Sequence, residues 1–265
     1  MAHSTFTIKT RWPSGIAAGL VLALTLGTLA AVILRADFTA GLGAADWAAV
    51  RFTVTQAFVS AALSCILAIP VARALSRRAF RGRSVLITLL GAPFLLPVVV
   101  AVFGILAVFG RGGIFNSALD WAGLPQVSIY GFQGVILGHV FFNLPLVTRL
   151  ILQGWLAIPS ERFRLAASLD GSVSQLLERP MLRAVLPGAF LVVFLISLTS
   201  FAVALTLGGG PRATTVELAI YQALRFDFDL GRAAMLALLQ FGLCVVAAAL
   251  VWRFGTPFTF GIGLD

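Results

Sequence analysis

The sequence predicts an all-α membrane protein with six transmembrane helices. Three observations carry that reading. Of 265 residues, 60% are hydrophobic and 11% are charged, and the mean hydropathy is +1.01, whereas soluble domains carry about 25% charged residues. The apolar residues fall into six runs, each long enough to cross about 30 Å of hydrocarbon as a helix. The cations sit in short segments between these runs, and their density alternates from one loop to the next. That is a signature of membrane topology, and it removes nucleic acid as the reason for the net charge of +9.

The first run covers 14–34. Its apolar core is too long for a secretory signal, and no small-x-small cleavage site follows it. The second covers 52–72 and the third 85–109, with Pro97 inside. The fourth covers 129–152 and contains Pro145, the fifth 185–207, and the sixth 233–252. Pro97 and Pro145 remove backbone donors and are expected to interrupt their helices, as static bends or as hinges. Cys65 and Cys244 fall inside the second and sixth runs and read as small hydrophobes rather than a disulfide or metal pair. With no internal repeat and no linker, residues 1–265 read as one domain.

Lys9, Arg11, Arg73, Arg77, Arg78, Arg81, Arg83, Arg149, Arg162, Arg164, Arg179, Arg183 and Arg253 share one face with only Glu161, Asp170, Glu178 and Asp265. On the opposite face Arg35, Arg51, Arg111, Arg212, Arg225 and Arg232 are balanced by Asp37, Asp46, Asp120, Glu217, Asp227 and Asp229. The positive-inside rule therefore predicts that both termini and the long loop 153–184 are cytoplasmic, and that Gly208–Arg232 lies outside.

Three polar features are candidates for function. In the cytoplasmic loop, Ser160 is placed to cap a helix with Glu161 in its first turn and Phe163, Ala166, Ala167 and Leu169 on a partly apolar face. Gly171 ends or bends that helix, and Ser172 starts a second carrying Val173, Leu176 and Leu177. Periodicity alone fits both a pair of docking helices and a solvated loop. In the fourth run, His139 and Asn143 stand one turn apart on one side, which suits interhelical hydrogen bonding or a polar path. Outside, Gly208-Gly209-Gly210-Pro211 cannot continue a helix. "TTVELAIYQAL" then restarts one with a Thr cap and Val216, Leu218, Ile220, Tyr221 and Leu224 as apolar positions. This short helix fits a gate over a pore mouth or an interfacial helix anchored by Tyr221. Asp227 and Asp229 beside Arg225 and Arg232 read as a solvated charge cluster. Lys9 stands in no phosphate-binding loop, and no cluster of acids and histidines suggests a catalytic or metal site. Phe141 and Phe142 offer aromatic faces of the kind cations favour, although with 22 Phe in the chain packing or lipid contact explains them better.

Ala166-Ala167, Gly171, Pro180 and Leu186-Pro187 resemble the cytoplasmic loop of binding-protein-dependent ABC importer permeases. Leu165 stands where that pattern has Glu, and the segment from Gly171 to Pro180 is about one helical turn shorter. Four further stretches, Val50–Leu75, Leu96–Gly113, Gly134–Gln153 and Leu207–Gln240, resemble the N-terminal half of the bacterial thiamine permeases in that family. Ala-Thr-Thr-Val-Glu-Leu-Ala-Ile-Tyr is the most specific block. The resemblance implies a six-helix type I importer domain, not itself an enzyme, in the bacterial inner membrane. It implies ABC ATPase subunits that hold ATP and Mg, with no cofactor or metal in this chain. A periplasmic binding protein and a second permease half, or another copy of this chain, complete the expected partners. Glu161, Leu165, Ala166, Ala167, Asp170, Gly171, Leu176 and Leu177 are the implied ATPase-coupling residues. Gly208, Gly209, Gly210, Glu217 and Tyr221 are the implied outer gate, and Pro97, His139, Asn143 and Pro145 the implied pore or hinge positions. An importer of ferric iron or another small solute is the nearest alternative. An ATP-independent transporter or channel is the alternative of another class, and it would be expected to show intramembrane charges that the span centres lack.

Overall fold

The computed structural model describes residues 11–39, 41–168 and 172–254. Among them every regular element is helical, and six stretches are long and apolar enough to cross a membrane. The helices are α1 (Arg11–Arg35), α2 (Ala44–Arg77), α3 (Arg83–Leu89), α4 (Ala92–Leu95), α5 (Val98–Phe109) and α6 (Ile114–Trp121), followed by α7 (Phe132–Leu156) and α8 (Ser160–Ser168). A π-helical turn, Ser174–Glu178, leads into α9 (Arg179–Leu198). Then come α10 (Ala202–Leu207), a 3-10 turn at Pro211–Ala213, α11 (Val216–Arg225) and α12 (Leu230–Phe254).

The centre of the bundle is a seam of α2, α7 and α9. Small residues on α2 make it possible: Ala57, Ala61, Ala68 and Ala72 are fully buried and let neighbouring backbones approach closely. Cys65 and Leu75 on the same helix meet Val147, Ile151, Leu152 and Trp155 of α7 and Val185, Ala189 and Val193 of α9. Gly154 of α7 belongs to this fit, since a Cβ there would lie 2.8 Å from the Met181 sulfur. Two smaller clusters flank the seam. One joins Ala49, Val216, Ala219 and Leu236 under α11, and the other joins Val102, Val135, Val203 and Leu207 where α5, α7 and α10 meet. α1 packs along α12, and its apolar residues, such as Ile16, Leu20 and Leu34, point away from the protein. In a bilayer that surface faces lipid.

Two spans are divided, the third at the expected Pro97 and the fifth where no interruption was expected. The third, 85–109, becomes α3, α4 and α5, and the apolar helical stretch runs on to Trp121. The cause at one break is Pro97, which lacks an N–H and forces Leu96 to ψ 132°, an extended conformation. The fifth, 185–207, stops at Leu198 and resumes as α10. By contrast α7 runs through Pro145 as one continuous helix, so that proline does not divide its span. Its packing against both α2 and α9 holds the helix together there.

The seam predicts a sharp size limit. Ala68→Phe should cost about 1–3 kcal/mol through overpacking, read as a lowered thermal midpoint of the detergent-solubilised protein.

Candidate functional site

The break between α9 and α10 organises the candidate site. At Thr199 the backbone leaves the helix (φ −98°, ψ 18°). Such a break frees carbonyls, and in a membrane these need partners within the protein. Two buried glutamines supply them. Gln56 of α2 donates its amide to the Ser197 carbonyl at 2.8 Å, and Gln240 of α12 donates to the Leu198 carbonyl at 2.9 Å. Asn143 of α7 donates to the Ser197 hydroxyl at 3.3 Å, and His139 Nδ1 lies 3.4 Å from the Ser60 hydroxyl. Gln56, Ser60, His139, Asn143, Ser197 and Gln240 thus form one buried polar layer across four helices.

A cavity of about 420 Å³ opens beside this layer. Pro93, Val98, His139, Phe142, Asn143, Thr199, Ser200 and Phe201 are among its lining residues. His139 and Asn143 therefore hydrogen-bond across helices and also line this cavity. His139 Nε2 and Asn143 Oδ1 have no hydrogen-bond partner in this conformation. Pro97 sits at the start of α5, directly before Val98 of the lining. Pro145 is buried in the seam-facing part of α7. The glutamines were not singled out from the sequence. A Gln in an otherwise apolar run was the available signal, in each case.

Phe201 connects the cavity to α11. Its ring lies 5.2 Å from that of Tyr221, which in turn meets Phe226 at 5.8 Å. Thr215 caps α11 by accepting from the Leu218 N–H, as expected, and the Val216 N–H donates to the Thr53 hydroxyl of α2 at 2.9 Å. The buried face is Val216, Leu218, Ala219 and Ala223, while Tyr221 and Leu224 are exposed. α11 is therefore bound into the bundle against α2 and α12. Glu217 is half-buried there, and burial pushes its carboxyl above the usual range. Gly209 and Gly210 take φ of +70° and +141°, open to glycine and strained for other residues, and a Cβ at Gly209 would lie 2.7 Å from that of Tyr130. Gly208 ends α10.

The charge cluster beyond α11 is more structured than expected. Arg232 reaches across to buried Asp46 at 2.8 Å as well as to Asp227 at 3.1 Å. Asp46 also accepts from the Gly43 N–H at 2.9 Å, so it caps α2 while tying α2 to α12.

At the opposite end, α8 carries Glu161 and Leu165 exposed and Ala166 buried, with Ala167 in the same helix. Asp170 and Gly171 lie outside the described residues, as does Leu169. The expected second short helix is not separate. The π-helical turn bearing Leu176 and Leu177 runs straight into α9, because Glu178 and Arg179 are both helical. Leu176 and Leu177 line a groove with Gly154, Arg162, Pro180 and Met181. Glu178, not anticipated as a site residue, is buried and lies 3.3 Å from Arg73 and 2.5 Å from Arg77 of α2. Its only trace in the sequence was being one of a few acids on the arginine-rich face.

Comparison with known proteins places this architecture. No family model matches the chain. A chain of the bacterial alginate ABC transporter, solved in complex with an alginate pentasaccharide-bound periplasmic protein, superposes with a TM-score of 0.73 at 17% identity, covering 91% of this chain and 90% of that one. The fold is that of an ABC importer permease domain. In sequence, the chain is similar to the thiamine transport system permease proteins ThiP. It is 42% identical to that of Brucella abortus over 253 residues, 92% of this chain and 47% of the relative. It is 44% identical to that of Salmonella typhimurium (95% and 48%) and 51% identical to that of Escherichia coli over 203 residues (75% and 38%). The chain thus spans about half the length, or less, of these relatives.

Three outcomes follow from the site. Gln56→Leu should cost about 1–3 kcal/mol by stranding the Ser197 carbonyl, measured as a lower thermal midpoint. Glu178→Gln should loosen the α8–α9 junction, raising protease cleavage within 160–178 while α2 and α7 stay protected. For Glu217, the native state holds its proton more tightly than the unfolded chain, so stability falls as pH rises through the unfolded value toward the raised folded one. Glu217→Gln should therefore melt no lower than wild type at pH 7 and flatten that pH dependence.

Proposed function

We propose that the chain is one transmembrane half of an ABC importer that carries thiamine or its phosphates across the bacterial inner membrane. The observation that carries this reading is the 42–51% identity to thiamine permeases. A separate ATPase binds ATP and Mg and drives the cycle, and this chain performs no hydrolysis. A periplasmic binding protein delivers the substrate, and a second permease half or second copy of the chain completes the pore. Both termini and α8 face the cytoplasm, in keeping with the segregation of the net charge.

The geometry supports a mechanical division of labour. α8 and the following turn dock on the ATPase through Glu161, Leu165, Ala166, Ala167, Asp170, Gly171, Leu176 and Leu177. Glu178 ties that segment to α2, and α9 extends from it as a rod of 20 residues, about 30 Å. The rod ends at Ser197 and Leu198, whose carbonyls the two glutamines hold. Movement at the coupling end therefore arrives at the cavity. Phe201 and Tyr221 extend the path to α11, which with Gly208–Gly210 and Glu217 forms the outer gate. Pro97, at the start of α5 beside the cavity, is the hinge.

A wider substrate range within the same class has one observation in its favour: a trehalose/maltose permease protein from Thermococcus litoralis is 29% identical over 217 residues. Uptake of labelled thiamine decides the matter. Cells lacking their own thiamine permease, supplied with the binding protein and ATPase, are expected to accumulate thiamine when this chain is expressed with a C-terminal permease half. A correctly inserted chain that supports no thiamine uptake with that half or alone would overturn the reading.

A further inference from the structure

A second cavity, of about 680 Å³, lies at the end of the bundle assigned above to the outside. Arg51, Phe52 and Thr55 of α2, Phe132 of α7, and Arg212 and Thr214 before α11 line it. Two arginines thus line one hollow, and neither guanidinium lies within 4.0 Å of a carboxylate among the described residues. Arg232, at the same end, has two such partners. Guanidinium forks match the oxygens of a phosphate geometrically as well as in charge, and a threonine hydroxyl can add a further donor. The hollow also has an aromatic wall, where Phe52 and Phe132 meet edge to face at 5.9 Å and 77°.

This hollow adjoins the path. Phe52 lines it and packs on the cluster of Val102, Val135, Val203 and Leu207, while Phe142 packs on the same cluster and lines the 420 Å³ cavity at the α9–α10 break. The same apolar cluster thus borders both spaces.

We propose that the Arg51–Arg212 hollow is an entry subsite for the phosphate ester of an aromatic heterocycle. Resting on the thiamine reading, this assigns the phosphorylated forms of the substrate a recognition site in the permease itself. The unphosphorylated vitamin carries a cationic ring, gains nothing from two guanidiniums, and uses the aromatic wall alone.

The test is uptake by the complete transporter in proteoliposomes, with binding protein and ATP, of labelled thiamine and labelled thiamine monophosphate in parallel. Arg51→Gln and Arg212→Gln should each lower uptake of the ester roughly tenfold and leave thiamine uptake within about twofold of wild type. Arg→Lys at either position should fall between, since it keeps the charge and loses the fork. Thiamine uptake doubles as the control for folding and assembly. Equal loss for both substrates would overturn the proposal in favour of contact with the binding protein. A loss seen only in vesicles containing anionic lipid would overturn it in favour of a lipid headgroup, and undiminished ester uptake would overturn it outright. A wild-type transporter that moves thiamine and not the ester refutes this inference alone. One that moves neither refutes the thiamine reading and the inference with it.

Discussion

Two glutamine amides brace the break between α9 and α10 at the centre of this bundle. A broken helix inside a bilayer is tolerable only when the freed backbone groups find partners in the protein. Gln56 and Gln240 come from helices on either side and take consecutive carbonyls, those of Ser197 and Leu198. Everything that looks functional near the centre depends on that arrangement. It ends α9 where it does, turns Thr199 and Ser200 toward a cavity, and sets Phe201 against Tyr221. An apolar residue at either glutamine position would favour a continuous helix and a closed space.

The rest of the architecture supplies rigidity around that opening. The alanine stripe of α2 brings α7 and α9 close enough to share one packed seam, so the polar layer sits on a firm base. Charge finishes the ends. Asp46 and Arg232 join α2 to α12 at one end, while Glu178 joins the α9 entry to Arg73 and Arg77 at the other. α2 is common to both ties and to the Gln56 bond. Its 34 residues make it the strut against which the coupling segment, the cavity and the outer helix are all positioned.

Much of this was legible in the sequence because bilayer-crossing helices announce themselves by length and hydropathy. The six crossings, the Thr215 cap, the pairing of His139 with Asn143 on one side of α7 and the helix starting at Ser160 follow from periodicity and capping chemistry. What escaped was long-range. Nothing local distinguishes Thr199-Ser200 as a break, since neither Pro nor Gly stands there, and the cause lies in donors 141 and 42 residues away. Pro145 shows the reciprocal effect: packing on α2 and α9 keeps α7 one continuous helix through a residue that ends isolated helices. Asp46 and Glu178 looked like ordinary loop acids because their arginines are remote or on another helix. The merger of the second coupling helix with α9 was hidden too, since a π-helical turn has no simple residue signature.

That π-helical turn has a consequence for how such a chain tolerates insertions and deletions. A π turn accommodates one residue more than the α-helix it interrupts, and each residue of an α-helix advances the face by about 100°. Ser174–Glu178 is therefore a stored unit of rotational phase between the docking surface and α9. Losing one residue within it can be absorbed by relaxing the turn to α pitch, leaving Val185, Ala189 and Val193 in the seam. The same deletion a few residues later, inside α9, has no such reserve and would roll those side chains away from α2 and α7. The turn lets the docking end drift in length while the membrane rod keeps its facing.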